Sequence, residues 1–273
     1  MAEAKTTVKK KNNAVEFWRF IFTIAVAFGH YNSFAWAGKI SSEDLIMSGG
    51  RILGLFLFLS GYFMMLSYQR KKAKGLIEGV SPAKQAWAYT GKRWLGLYPA
   101  LLGGVSFAFI VRNWIAGTPL SKIPSLLAGS MFEFLGLFQL GLVGYNEQKS
   151  TEQLVQFINE GNVSPLWNGP LWYISAILIV SVLIYYVLVK NEDFFIAFFC
   201  PLVIIGSYGY ARLNQGADFL RTTTGWLGIP NNLLRVAAGM CVGCLMYFVV
   251  DYFKKKTFSK GMTATFTILN ALL

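Results

Sequence analysis

The only histidine of the chain, His30, follows Arg19 by eleven residues within one apolar segment. Eleven residues advance an α-helix by about three turns, so both side chains are expected on one face, about 16 Å apart along the axis. An arginine at the end of such a segment can hold a phosphate with two hydrogen bonds, and an imidazole deeper inside can take a proton from a hydroxyl near neutral pH. The spacing alone leaves equally open that Arg19 reaches lipid headgroups and that His30 only bonds a neighbouring helix.

The elements that position these residues are predicted to be membrane helices. Of the 273 residues, 55% are hydrophobic and only 14% are charged, a balance that excludes an ordinary soluble globular domain. Crossing a hydrocarbon core about 30 Å thick takes roughly 20 apolar residues as a helix. Such runs fill the chain and predict an all-α, polytopic transmembrane helical bundle of seven to eight segments: 15–36, 47–68, 94–115, 123–143, 171–189, 194–210, 233–252 and 262–273.

The organisation of the chain is predicted to be simple. We expect one membrane-embedded domain over residues 1–273, with a basic cytoplasmic tail over residues 1–13. The last apolar run holds only twelve residues before the chain stops at Leu273. Because so short a run cannot cross a bilayer as a helix, the chain is expected to be cut off inside a membrane segment.

The net charge of +12 comes largely from lysines and arginines in short stretches beside apolar runs. Because such residues stay preferentially on the cytoplasmic side, they predict a multi-pass protein of the plasma membrane with a cytoplasmic N-terminus, and no nucleic-acid surface. When loops are assigned to the two sides of the membrane starting from either end of the chain, the two assignments differ by one membrane crossing. The simplest solution is that residues 123–143, which carry Glu133 and Gln139, re-enter the membrane or lie against the bundle from outside.

The cysteines indicate packing rather than chemistry, because all three lie in apolar stretches: Cys200, Cys241 and Cys244. We therefore predict neither a disulfide framework nor a metal site. The spacing of Gly239 and Gly243 favours close helix packing in the same region. Three arginines near helix ends are expected to reach toward headgroups: Arg51, Arg112 and Arg235.

Four blocks of the chain carry recognisable motifs: EFWRFIFTIAVAFGH at 16–30, GLFLFLSGY at 54–62, KRWLGLYP at 92–99 and NGPLWYIS at 168–175. The first resembles the opening helix of the acyltransferase 3 family, with its acid three residues before the arginine and its Arg-x10-His spacing. The second resembles the family's Phe-rich run that ends in Ser-Gly-Phe/Tyr. The third is similar to its Arg-x-x-Arg-x-Tyr-Pro motif and the fourth to its Asn-x-Pro-Leu-Trp block. Four blocks in the family's order are far more specific than any one of them.

The resemblance implies a multi-pass enzyme that moves an acetyl or other acyl group from a cytoplasmic coenzyme A thioester to a hydroxyl of a cell-surface carbohydrate. Acetyl-CoA is then a co-substrate, no cofactor is permanently bound, and the partners are membrane lipid, the acyl-CoA donor and a surface glycan or lipid-linked sugar. The implied residues are His30 and Arg19 for catalysis, Arg19, Arg93, Ser60 and Gly61 for donor binding, and Trp172, Asn168 and Glu133 for acceptor binding.

The chain departs from the family's motifs at two positions. Gly96 stands where the second arginine of the Arg-x-x-Arg motif is often found, so donor contact is expected from Arg93 and nearby lysines. Ile177 stands where many members carry a glutamate. The role of that glutamate is then vacant or taken by another group such as Glu133.

Each assignment has a plainer alternative. Ser60 and Gly61 suit close packing between helices, because small residues let backbones approach. Arg93 suits a charge in an inside loop, and Trp172 suits an interfacial residue that opens a helix. For the whole chain, the alternative is a non-catalytic membrane scaffold, or a glycan or small-molecule transporter, that retains the same helices. A transporter would be expected to show two related halves, and no internal symmetry is visible in the sequence.

Overall fold

The fold is described from a computed structural model. It describes residues 49–137, 172–214 and 231–256, together with four single helical positions: Phe17, Phe20, Ile21 and Ile24. Within these ranges every secondary-structure element is helical, so the prediction of an all-α fold is confirmed. Arg19, His30 and Asn168 lie outside the described residues.

The helices follow one another as α1 (Gly49–Lys72), α2 (Pro82–Ile115), α3 (Ile123–Gly129), α4 (Met131–Phe134), α5 (Trp172–Lys190), α6 and α7 (Asn231–Lys255). Helix α6 begins as Glu192–Phe194, passes through a π-helical turn at Phe195–Phe199 and continues as Cys200–Asn214. Among the described helices, four are long and apolar enough to cross a membrane: α2, α5, the Glu192–Tyr210 part of α6, and α7. The apolar runs therefore predicted these helices correctly.

Helix α2 begins twelve residues earlier than the predicted segment 94–115, so that predicted boundary is wrong. The side chain of Ser81 caps the helix by accepting a hydrogen bond from the backbone N–H of Lys84, and Pro82 occupies the first turn. With 34 residues the helix is about 51 Å long, well beyond the thickness of a hydrocarbon core. Arg93 is therefore a helix residue, and its interpretation as a loop charge is wrong.

The chain after α2 forms short helices in place of one spanning helix. A 3₁₀ turn at Leu120–Lys122 leads into α3 and α4, which have seven and four residues and are too short to cross a bilayer. The Phe134 ring lies 5.8 Å from the Phe109 ring, and Trp94 Nε1 donates a hydrogen bond to the Leu135 carbonyl at 2.8 Å. The segment thus returns along α2, as expected for a segment that does not cross as one helix; its side of the membrane stays a prediction.

Helices α1 and α7 are in backbone contact through glycines. A β-carbon on Gly61 would collide with the backbone of Met240, and one on Gly243 would collide with the backbone of Phe58. Cys244 Sγ donates to the Gly61 carbonyl at 3.3 Å across the same contact. The packing interpretation of these glycines is therefore confirmed, whereas donor binding by Gly61 stays a prediction.

The chain separates into two compact units, Met1–Leu57 and Phe58–Leu273. Within the second unit, α5 packs against both α2 and α7, and α7 packs against α6. All contacts discussed below lie in this second unit. A single domain over residues 1–273 and a basic tail over residues 1–13 stay predictions.

Candidate functional site

Two residues predicted to bind the donor are in direct contact. Arg93 Nη2 on α2 donates a hydrogen bond to Ser60 Oγ on α1 at 2.8 Å, and the two side chains are half-buried. They are 33 residues apart in the chain. The contact joins the Phe-rich block that ends in Ser60-Gly61 to the block that contains Arg93 and ends at Pro99. Two of the four motifs seen in the sequence therefore form one site.

A row of polar and aromatic groups extends this contact across the bundle. Arg93 also interacts with the hydroxyl of Tyr89, one helical turn earlier. The Tyr89 ring stacks on the Tyr185 ring of α5, with centroids 4.4 Å apart and planes within 6° of parallel. Lys71 Nζ at the end of α1 donates to the Tyr185 hydroxyl at 3.1 Å. We call Ser60, Arg93, Tyr89, Tyr185 and Lys71 the polar row.

Beside the polar row, one acidic residue collects three groups from the end of α1. Glu192, at the start of α6, accepts hydrogen bonds from the Tyr68 hydroxyl at 3.3 Å and from the Gln69 side-chain amide, and it forms an ion pair with Lys72. The hydrogen bond that Lys72 donates to Glu192 within this ion pair raises the pKa of Lys72. Burial, by contrast, lowers the pKa of the neighbouring Lys71. The two adjacent lysines are therefore not equivalent, because Lys72 is neutralised by Glu192 and Lys71 points into the polar row.

The polar row is suited to binding a phosphorylated molecule. Its two cations, Arg93 and Lys71, lie on either side of the stacked tyrosines. A guanidinium presents its N–H groups in a planar fork that matches two phosphate oxygens, and an ammonium contributes a compact point charge. Further lysines follow at the same end of the bundle, at positions 74, 84 and 92. This end of the second unit is thus strongly basic.

A second polar site lies at the other end of α2. Glu133 of α4 is 2% exposed, and its carboxylate acts electrostatically on the guanidinium of Arg112. Arg112 follows Arg93 by 19 residues on α2, which is about 28 Å along the helix axis. Arg112 is half-buried and has a buried acid in its electrostatic surroundings, while its expected reach toward headgroups stays a prediction. Ionisable residues at membrane depth usually mark functional sites, which keeps Glu133 as a candidate for acceptor binding.

The remaining predicted residues are only partly described. Trp172 is the first described residue of α5, and its ring lies edge-to-face on Tyr173 with centroids 6.5 Å apart. Its interpretation as a residue that opens a helix stays a prediction. Its role in acceptor binding stays a prediction. The same holds for Arg19, His30 and Asn168, which lie outside the described residues.

Several members of these sites were missed in the sequence, among them Lys71, Tyr89, Tyr185 and Glu192. The position of Tyr89, four residues before Arg93, places both side chains on one helix face and was available as a signal. The contacts of Lys71 with Tyr185 and of Glu192 with α1 join residues more than 110 positions apart. The spacing of residues along the chain cannot predict contacts between positions so far apart.

The apolar helices, with polar sites at both ends of α2, define a helical membrane protein. A family model described as an acyltransferase domain matches residues 12–273. The chain therefore belongs to the acyltransferase 3 family, as the four motif blocks predicted, and it is a membrane acyltransferase. Searches of curated proteins and of solved structures found no match.

Proposed function

We propose that the protein is an O-acyltransferase of the plasma membrane that transfers an acetyl group from acetyl-CoA to a hydroxyl of a cell-surface carbohydrate. The donor binds at the basic end of the bundle, which is the cytoplasmic end if short lysine-rich loops stay inside. The acceptor binds toward the opposite end of α2. The observation that carries the proposal is the hydrogen bond between Arg93 and Ser60, because it unites two family motifs in one cation-bearing site.

The donor side of the proposal rests on charge. Coenzyme A carries phosphate groups, and the polar row offers Arg93 and Lys71 to them, with Arg19 as a third cation from the first motif block. Ser60 holds the Arg93 side chain from α1, so that the guanidinium is oriented before the donor arrives. An oriented cation loses less conformational entropy on binding than a mobile one.

The chemical step needs one base. In our proposal His30 takes the proton from the acceptor hydroxyl while the hydroxyl oxygen attacks the carbonyl carbon of the thioester. The C–S bond then breaks, and the proton passes from the imidazolium to the departing thiolate of coenzyme A. The acyl group ends as an ester on the acceptor and the donor leaves as the free thiol, so the step needs no other reactant. A reaction site that excludes water favours transfer over hydrolysis.

The acceptor side of the proposal uses Glu133, Asn168 and Trp172. A carboxylate and an amide are suitable partners for sugar hydroxyls, and an indole ring is a suitable surface for a sugar face. Glu133 supports this role by its burial at the far end of α2 from Arg93. A site with donor and acceptor at opposite ends of one helix suits transfer across a membrane.

The proposal is tested by purifying the full chain, placing it in lipid vesicles and supplying acetyl-CoA labelled in the acetyl group together with isolated surface glycan. His30→Ala is expected to abolish labelling of the glycan, Arg19→Ala to raise the KM for acetyl-CoA, and the neighbouring Tyr31→Phe to leave both unchanged. Undiminished labelling by His30→Ala would remove the catalytic assignment. Absence of labelling by the unaltered protein with acetyl-CoA and longer acyl-CoA donors would favour the scaffold or transporter.

A further inference from the structure

An apolar groove runs between α2 and α5 and does not contain the polar row. Its volume is about 740 Å³, and its walls include Ala86, Trp87, Gly91 and Trp94 of α2 and Val182 and Leu183 of α5. On α2 these residues recur every three to four positions from Ala83 to Trp94, so the groove follows the helix axis for about 16 Å. Leu135, whose carbonyl accepts a hydrogen bond from Trp94, borders the end that lies deeper in the bundle.

One polar side chain in the groove has no partner among the described residues. Thr90 also lines the groove and is only 6% exposed. Its hydroxyl makes no hydrogen bond to any described residue. A threonine hydroxyl in an apolar environment costs free energy until it finds an acceptor. The position therefore calls for a ligand that is apolar along most of its length and carries a hydrogen-bond acceptor near one end.

The groove opens sideways and toward the basic end of the bundle. Trp87 is 66% exposed and Leu183 is 56% exposed, so this face of the groove is open at the surface of the described helices. Tyr186 lines the groove at the basic end, and Lys190 Nζ lies 5.9 Å from the centre of its ring. Lys84 stands on the first turns of α2 at the same end. A ligand in the groove would thus meet two lysines beyond Thr90.

We propose that the groove binds one acyl chain of an anionic phospholipid. The chain lies between α2 and α5, the ester carbonyl accepts a hydrogen bond from Thr90, and the phosphate lies near Lys84 and Lys190. A tryptophan at the level of the lipid esters is the usual arrangement at a membrane interface, and Trp87 lies one turn from Thr90 on the side of Lys84. The site is distinct from the donor site, because Arg93 faces Ser60 on α1 and does not line the groove. It requires only that the protein is embedded in a membrane.

Two glycines of α2 provide a matched pair of variants. A β-carbon on Gly91 or on Gly103 meets nothing within 4 Å, so neither substitution forces a backbone clash, yet only Gly91 lines the groove. Native mass spectrometry of the full chain in detergent, titrated with phosphatidylglycerol, measures the affinity of the bound lipid. Gly91→Leu is expected to weaken the tightest site by at least about tenfold, since it fills the groove, and Gly103→Leu is expected to retain wild-type affinity.

The polar contacts are tested in the same titration. Thr90→Val keeps the shape of the side chain and is expected to weaken phosphatidylglycerol binding about threefold to tenfold, the effect of one lost hydrogen bond. Phosphatidylcholine, which has no net charge, is expected to bind more weakly than phosphatidylglycerol, and the difference is expected to shrink in Lys84→Gln/Lys190→Gln. Equal binding by Gly91→Leu and wild type would overturn the proposal, as would equal affinity for the two lipids.

A second measurement identifies the occupant. In vesicles of phosphatidylglycerol brominated along the acyl chain, the bromine quenches tryptophan fluorescence at short range, and replacing Trp87 and Trp94 by phenylalanine is expected to remove a strongly quenched fraction. Gly91→Leu is expected to remove the same fraction while both tryptophans remain. If palmitoyl-CoA displaced the bound lipid completely at low concentration, or if quenching were the same in wild type and Gly91→Leu, the groove would belong to the donor or to another segment of the chain.

Discussion

Arg93 donates through Nη2 to the hydroxyl oxygen of Ser60 at 2.8 Å, and this bond connects α2 to α1 at the basic end of the bundle. The same guanidinium interacts with Tyr89, which stacks on Tyr185. Arg93 is therefore held from two sides, by a serine of one helix and by a tyrosine of its own. Such a restrained cation is the feature on which the proposed donor site depends.

Replacing Arg93 by alanine is expected to raise the KM for acetyl-CoA by about ten- to a hundredfold, the effect of losing charge-assisted hydrogen bonds to phosphate. Arg93→Lys is expected to recover only part of this loss, because an ammonium cannot form the planar fork. Initial rates of acetyl transfer at varied acetyl-CoA measure both effects. Arg70→Ala, at an exposed position near the end of α1, serves as the control and is expected to behave as wild type. An unchanged KM in Arg93→Ala would contradict the donor assignment.

Ser60→Ala separates orientation from charge. The guanidinium stays in place but loses its partner on α1, so the KM for acetyl-CoA is expected to rise by about two- to tenfold, less than in Arg93→Ala. In the double variant Ser60→Ala/Arg93→Ala the two effects are expected to be less than additive, because both act through one bond. Full additivity of the two effects would mean that Ser60 acts independently of Arg93.

Gly61 is expected to be intolerant of any side chain. Gly61→Ala places a methyl group against the backbone of Met240, so we expect a loss of about 1–3 kcal/mol in the free energy of unfolding or failure of the protein to accumulate. Gly206→Ala on α6 is the control, because a β-carbon there meets nothing within 4 Å and a helical alanine is favoured over glycine. Thermal unfolding in detergent compares the two. A melting temperature for Gly61→Ala equal to that of Gly206→Ala would show that α1 and α7 are not in backbone contact.

Glu192→Gln is expected to destabilise the protein and to change its response to alkaline pH. The pKa of Lys72 is raised in the folded protein by its hydrogen bond to Glu192. The stabilisation is therefore complete below the ordinary lysine value of about 10.4 and is lost as the pH rises through the higher folded value. Thermal unfolding between pH 8 and 11 is expected to show this loss in wild type and in Asp193→Asn, and a smaller loss in Glu192→Gln. The same pH profile in all three proteins would show that the ion pair contributes nothing.

Arg112 and Glu133 are expected to behave as a coupled pair. Removing Arg112 leaves the buried Glu133 without its neighbouring cation, so Arg112→Leu is expected to cost about 3–5 kcal/mol of stability. Glu133→Leu is expected to cost less, because Arg112 is only half-buried. The double variant is expected to be more stable than the sum of the single effects predicts, which thermal unfolding of the four proteins measures. If Glu133 binds the acceptor, Glu133→Gln also raises the KM for glycan and leaves the KM for acetyl-CoA unchanged. Additive single effects would show that the two groups do not interact.

Much of the fold was predictable because the bilayer imposes a length on each helix. The run 47–68 coincides with α1 from Gly49 onward, the run 171–189 matches α5 to within one residue, and the run 233–252 lies within α7. An apolar run of that length has few other stable states. The start of α2 was not predictable from hydropathy, because residues 82–93 carry polar and charged groups and form the part of the helix that extends past the apolar run. A serine cap and a proline mark that start, and these signals act independently of hydropathy.

The candidate site was predictable only in part. Motif resemblance singled out Ser60 and Arg93, and their side chains are hydrogen-bonded, but no spacing in the chain indicates this contact. Tyr185 and Glu192 come from helices far along the chain, and their contacts depend on how those helices pack. Packing between distant helices is decided by shape and by small residues such as Gly61, which hydropathy does not register.

One uninterrupted element, α2, carries Arg93 and Arg112, and this has a geometric consequence. Each residue between them adds about 1.5 Å of rise and about 100° of rotation. Deleting a single residue from this stretch would swing one guanidinium about 100° around the axis relative to the other, even if every side chain kept its chemical type. The number of residues between Arg93 and Arg112 is thus as important to the two sites as the charges themselves. Pro99 lies within this stretch, and the helix axis can bend there without changing the number of residues.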